Sequence, residues 1–407
     1  MRYFVAKYPR AQAADLVQEV LLRLVRRYRD GAIDPSRGNL AMFAFGIAKN
    51  LRLEMLKTAK KSLVLVDIRE SKEIADGALG PDLLVEGSHQ RASLRQAIAK
   101  WYRERFSVSL DSETEILPLI GSKEGIAHLP LAFVDPGDVT LVPDPCYPPY
   151  KSGTWFAGGQ TYLMPLEEKN NFLPDFEAVP ADTVKKAKII YVNYPNNPTG
   201  AVAPKAFYEK LVKWATEHKI LIASDLAYSE VYFQKERPLS IFEIAGARQV
   251  AIEFHSLSKT CNMTGWRVGF ALGRAELISA LMRIKFNIDS GVFTAIQATS
   301  IEALRSSFVF SKKANALYRR RRDLLVAGLK QLGFPVRPNP ATFYVFSRMP
   351  GGRRDSAGFC RELLEKTGIV VTPGVGFGDA GEGYVRFALT VPESEIREAL
   401  SRMKKGL

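Results

Sequence analysis

HSLSKTCNMTGWRVGF, residues His255–Phe270, decides how this chain is read. It follows the apolar run QVAIEF, Gln249–Phe254. Ser256, Ser258 and Lys259 come directly after that run, and Arg267 lies eight residues beyond the lysine. One amine able to bond an aldehyde, with two hydroxyls and a guanidinium able to hold a phosphate, makes a coherent chemical set. A solvent-facing lysine in a polar loop would account for Lys259 but not for its neighbours.

Working outward, four more apolar runs lie upstream: EILPLI (Glu115–Ile120), VTLVPD (Val139–Asp144), KIIYVN (Lys188–Asn193) and ILIASD (Ile220–Asp225). Helical stretches at Leu94–Phe106, Glu124–Phe133 and Pro204–His218 alternate with them. This order predicts a mostly parallel sheet with helices on both faces. A long basic helix near 309–331 and shorter elements after it suggest a second, smaller α/β domain.

Ligands of open α/β sheets bind beyond the carboxyl ends of the strands. Polar residues are concentrated there. In LIGSKEG, Ser122 and Lys123 open a helix whose first amides suit a phosphate, although Ser122 would equally serve as a plain helix cap. In NYPNNPTG, two prolines and a glycine fix a loop that points Asn197 at a ligand oxygen. Asp225 ends an apolar strand, where a carboxylate needs a cationic or hydrogen-bonded partner such as a protonated pyridine nitrogen. Tyr228 could donate to a phenolic oxygen. Helix capping by Asp225 and packing by Tyr228 are the alternatives. Tyr147, in DPCYPPY, could stack on a planar ring or fill a core. Arg386, inside the apolar YVRFALT, calls for an anion: a substrate carboxylate or an internal ion pair.

The bulk properties are those of an ordinary soluble globular chain. Of 407 residues, 46% are hydrophobic and 25% charged, which points to two or three domains. No apolar stretch is long enough to span a membrane, no signal peptide is evident, and a cytoplasmic enzyme is expected. Cys146, Cys261 and Cys360 lie far apart, and so do the four histidines, so neither disulfides nor a metal site is expected. The net charge of +14 is uneven, with thirteen Lys and Arg against five Asp and Glu in residues 1–61.

Taken together, GSKEGIAHLPLAF, NYPNNPTGAV, EFHSLSKT, NMTGWRVGF, NIDSGVF and TPGVGFG resemble the class I/II, fold-type I aminotransferases that use pyridoxal 5'-phosphate. Among these they look most like the LL-diaminopimelate aminotransferase branch. The likeness runs from about Leu94 to the C-terminus. It implies transfer of an amino group from an amino acid, of the LL-diaminopimelate, glutamate or alanine type, to a 2-oxo acid. By the resemblance, Lys259 bonds the cofactor and later moves a proton. Asp225 pairs with the pyridinium nitrogen, while Asn197 and Tyr228 hold the ring hydroxyl and Tyr147 stacks on the ring. Ser122, Lys123, Ser256, Ser258 and Arg267 hold the phosphate, and Arg386 takes the substrate carboxylate. Lys123, Tyr147 and Asn197 also face the substrate. Asn287 falls in a segment resembling the family's interface loop and is counted with the cofactor contacts. A homodimer is expected on the same ground.

The N-terminus resembles something else. ADLVQEVLLRLVRRY, IDPSRGN and FAFGIAKNLRLEMLK look like the second conserved region of extracytoplasmic-function sigma factors. That likeness would make residues 1–61 a DNA or RNA polymerase contact, followed by an irregular join at 62–91. A large cofactor-binding domain is expected at 92–295 and a small one at 296–407. The sigma-like piece stands where the family has its N-terminal arm, and no tyrosine occurs between Val66 and Lys100. Two other functions therefore enter: a transcription regulator built on an aminotransferase-like domain, and a fusion that has lost activity.

Overall fold

A computed structural model of the chain describes residues 81–406. The sigma-like segment and most of the join lie outside the described residues. Helix α1, Pro81–Phe106, begins on a proline, a residue preset for a first helical turn. It starts well upstream of Leu94 and so takes in the last part of the expected join. Among the described residues, no helix is long and apolar enough to cross a membrane.

Seven strands form the main sheet: β1 Ile116–Leu119, β2 Val139–Asp144, β3 Gln160–Pro165, β4 Ala187–Val192, β5 Leu221–Asp225, β6 Ala251–Ser256 and β7 Gly269–Gly273. Their order is β1-β7-β6-β5-β4-β2-β3. Only β7 runs against its neighbours, so the sheet is mostly parallel, as expected. Strands β3 and β7 were not among the apolar runs picked out above.

The period-two rule explains how the sheet is covered on both faces. Ile190 and Val192 of β4, with Ile222 of β5, point into one core; Ile189, Tyr191 and Ala223 point into the other. The first core is closed by α1 and by the helix at Lys205–His218. The second is closed by the helices at Ser122–Phe133 (α2) and Ala275–Ile288 (α6) and by Tyr150 of α3, Pro149–Phe156. With the helix at Lys205–His218 as α4 and the single turn Leu257–Thr260 as α5, every element before residue 290 that positions the site is in place.

Helix α7, Thr294–Gln331, is longer than the expected 309–331. Its first half reaches the main-sheet core through Leu304; its second half reaches another core through Leu325, Val326 and Leu329. The expected boundary at 295/296 falls in its first turn. Beyond it, β8 Tyr344–Arg348, β9 Thr372–Pro373 and β10 Tyr384–Ala388 form a small sheet of order β8-β10-β9, packed with α8 (Ser356–Thr367) and α9 (Glu393–Gly406). Ala227, Tyr228 and Val231, on the segment that follows β5, belong to the core beneath the small sheet, with Leu325, Val326 and Leu329. The strand end carrying Asp225 is thereby tied to the small sheet.

Candidate active site

A cavity of about 410 Å³ opens at the carboxyl ends of β4, β5 and β6, facing β9 and β10. Its wall contains Ser122, Lys123, Tyr147, Asn197, Asp225, Tyr228, Ser256, Ser258, Lys259, Arg267 and Arg386. Asn287 is the exception among the residues singled out from the sequence. It sits exposed near the end of α6, where its amide donates to the Arg283 carbonyl at 2.7 Å.

Asp225 is 5% exposed at the tip of β5. Tyr150 donates its hydroxyl to Oδ2 at 2.7 Å, and the Ala227 amide donates to Oδ1 at 3.3 Å. Burial dominates nonetheless and pushes the carboxyl up to about 6; the hydroxyl, the amide and the more distant His255 and Lys259 pull the other way. The backbone beside it is fixed too. Asn193 donates to the Asp225 carbonyl at 2.7 Å and accepts from the Asn197 amide at 2.8 Å.

Asn197 leads across the cavity. Its Oδ1 accepts from Arg386 Nη1 at 2.7 Å, and Arg386 also reaches Thr372 Oγ1 at 3.4 Å. The guanidinium lies over the rings of Tyr344, at 4.0 Å, and Phe377, at 4.5 Å. No carboxylate among the described residues pairs with it, so the internal ion pair allowed by the sequence does not form. Burial lowers its proton affinity somewhat. Such a fork, desolvated and without an anion, is suited to a ligand carboxylate.

On the opposite side, α2 begins at Ser122 with Gly121 as its cap and no side chain capping the first amides. Ser122 is therefore not the cap residue. Gly121 has φ +82°, and a Cβ there would run into the Arg267 guanidinium. At Gly269, a Cβ would lie 2.6 Å from the Ser122 amide nitrogen. These two glycines let the helix start, Arg267 and the end of β6 converge. The Ser258 hydroxyl is buried there without a partner. Lys259 is half-buried, with Nζ 5.4 Å from the Phe343 ring centre and 5.9 Å from that of Tyr228.

Four cations and one carboxylate thus line a space of ligand size. The donors at the α2 start suit a phosphate, the buried carboxyl suits a protonated ring nitrogen, and the amine suits an aldehyde. The residues present fit pyridoxal phosphate. Tyr147 flanks the space, its hydroxyl pushed up to about 12 by burial. Tyr150, Asn193, Tyr344, Thr372 and Phe377 also build the site but do not stand out in the sequence. Tyr150 and Asn193 lie inside quoted motifs, but nothing local shows that both meet Asp225.

Residues 56–403 match the family described as aminotransferase class I and II. The LL-diaminopimelate aminotransferase of Nitratidesulfovibrio vulgaris (strain Miyazaki F) is 51% identical over 339 residues, 79% of this chain and 87% of that protein. The enzyme of the same name from Aquifex aeolicus is 52% identical over 310 residues, 76% of this chain and 80% of its own length. Among solved structures, a probable N-succinyldiaminopimelate aminotransferase from Thermus thermophilus superposes with TM-score 0.75 at 35% identity, covering 83% of this chain and 90% of that one. An aromatic aminotransferase from Pyrococcus horikoshii gives TM-score 0.74 at 29% identity, with 77% and 84% covered. The chain belongs to the class I and II aminotransferases and is a pyridoxal-phosphate-dependent transaminase that moves an amino group between an amino acid and a 2-oxo acid.

Proposed function

We propose that the amino donor is LL-diaminopimelate and that Lys259 is the residue that bonds the cofactor and carries the proton. The observation behind the assignment of roles is the convergence of Lys259, Asp225 and Arg386 on one cavity whose cations have no acidic partners among the described residues. The donor follows from relatives of about half-identical sequence that carry that name.

Pyridoxal phosphate, when bound, supplies an electron sink for the pair left behind when a proton leaves the substrate's α-carbon. The chain's own groups do the rest. Arg386 grips the α-carboxylate and, with Asn197, fixes the amino acid's orientation. The Lys259 amine, on the cavity wall, would take the proton from the substrate's α-carbon and hold it for the transfer. Asp225 would keep a proton on the cofactor's ring nitrogen, and Tyr228 and Asn197 would hold its ring oxygen. Ser122, Lys123, Ser256, Ser258 and Arg267 would anchor its phosphate, and Tyr147 would cover its ring.

We further assign the working form as a homodimer. Trp266, Phe286, Ile288 and Phe293 are 47–66% exposed, large apolar side chains that a second copy would cover. The basic segment 1–61 is assigned separately as a nucleic-acid or polymerase contact. Salt-dependent DNA binding lost on its deletion would support this, and unchanged binding would end it.

The donor is tested by absorbance of the cofactor-loaded protein against LL-diaminopimelate, glutamate and alanine. We expect stoichiometric conversion to the amine form of the cofactor, with the highest kcat/KM for LL-diaminopimelate. Faster conversion by alanine or glutamate would reassign the donor, and no change with any donor would remove the activity.

A further inference from the structure

Helix α6 buries Leu277, Ile278 and Leu281 on one stripe, and the next position of that stripe is Lys285. A lysine only 2% exposed needs compensation. Its Nζ donates to Glu124 Oε1 at 2.6 Å and to Asp289 Oδ1 at 2.6 Å. The second oxygen of Glu124 accepts from the Ile120 amide at 2.6 Å. Glu124 thereby ties the residue before the Gly121–Lys123 turn to the first turn of α2. Asp289 in turn accepts from the Gly291 amide at 2.7 Å, in the segment between α6 and α7.

None of these three residues lines the cavity. The turn they support does, through Ser122 and Lys123. Burial raises the Glu124 carboxyl while Lys285 lowers it, and Lys285 holds the Asp289 carboxyl down.

We propose that Lys285, acting through Glu124, is a positioning residue that sets the Gly121–Lys123 turn for the cofactor phosphate. A buried apolar residue at 285 would fill the stripe equally well but would leave two carboxylates facing each other and free the turn. The inference rests on the reading that this turn holds the phosphate.

The test uses the full chain freed of cofactor and titrated in parallel with pyridoxal phosphate and with pyridoxal, which lacks the phosphate. The readout is the ratio of the two affinities. In Lys285→Met that ratio should fall at least tenfold, with pyridoxal binding little changed. Glu124→Gln, isosteric and able to keep the Ile120 contact, should lower it a few-fold and carries the test alone if Lys285→Met does not fold. Equal loss for both ligands would mean a general scaffold role and overturn the proposal, as would a ratio that does not move. Arg267→Ala separates the two levels. If it lowers the ratio while the other variants do not, the phosphate reading stands and the positioning role falls. If none of the three lowers it, the phosphate reading falls as well.

Discussion

Asp225 ends β5, Lys259 lies three residues beyond the end of the paired strand β6, and both face one cavity, yet their surroundings are opposite. Asp225 is buried and its oxygens accept from Tyr150 and from the Ala227 amide. Lys259, like Arg267 and Arg386, has no carboxylate partner among the described residues. The chain completes the acid's hydrogen bonds from within and leaves its cations to be completed from outside. The acid is held in place by its own fold and still faces the cavity, whereas the cations, half-buried at Lys259 and Arg386 and exposed at Arg267, are left for a ligand to pair.

The sharpest break of that comparison is Lys259→Ala. Removing the amine takes away both the covalent anchor and the base. Turnover should fall by about 10³- to 10⁴-fold while the fold and the cavity's other contacts persist. Single-turnover absorbance with LL-diaminopimelate measures it. Activity within tenfold of the unchanged protein would remove Lys259 from its role.

Arg386→Ala comes next. Loss of one half of a desolvated charge pair costs about 3 kcal/mol, or about a hundredfold in kcat/KM. Arg386→Lys should recover only part of this, since an ammonium keeps the charge but not the fork that also reaches Asn197 and Thr372. Equal activity of the two variants would mean that charge alone acts there.

Asp225 sharpens the other side. Its carboxyl is raised from 3.8 to about 6 by burial. Below about 3.8 it is protonated both folded and unfolded, so nothing is lost; the penalty grows through the interval and is complete above about 6. At about 1.4 kcal/mol per unit this approaches 3 kcal/mol for the cofactor-free protein. Asp225→Asn should therefore gain stability relative to the unchanged cofactor-free chain as pH rises from 4 to 7, and level off beyond. Adding pyridoxal phosphate should reverse the order, because a protonated ring nitrogen then compensates the ionised carboxylate. Denaturant unfolding across that pH range, with and without cofactor, checks both. A difference that does not vary with pH would show that the carboxyl titrates normally.

Much of this arrangement was legible in the sequence, for a physical reason. Buried parallel strands read as continuous apolar runs, and the polar residues ending them stand out against that background. The rest was hidden where burial and polarity part company. Strand β3, QTYLMP, is a half-exposed edge, and β7, GFALG, is glycine-rich, so neither reads as an apolar run. Helix α7 turns Ser300 and Ser307 inward, which blurs its period upstream of residue 309. Tyr150 could not be matched to Asp225 because 75 residues and two intervening strands separate them. The Lys285 cluster looks in sequence like ordinary surface charge on an amphipathic helix.

Asn287 gives the smallest expected effect and the finest distinction. The resemblance counted it with the cofactor contacts, but in this chain its amide turns back to the Arg283 carbonyl on an exposed face, outside the cavity. A residue so placed contributes within about 0.5 kcal/mol of nothing when truncated. Asn287→Ala should therefore leave cofactor affinity within about twofold when measured on dilute, monomeric protein. If the loss is larger and appears only at concentrations where copies associate, then Asn287 acts across the dimer, in a site that one chain does not complete. In that case the contrast between a self-satisfied acid and open cations extends to the subunit boundary, and the apolar group of Trp266, Phe286, Ile288 and Phe293 becomes part of the active site's construction.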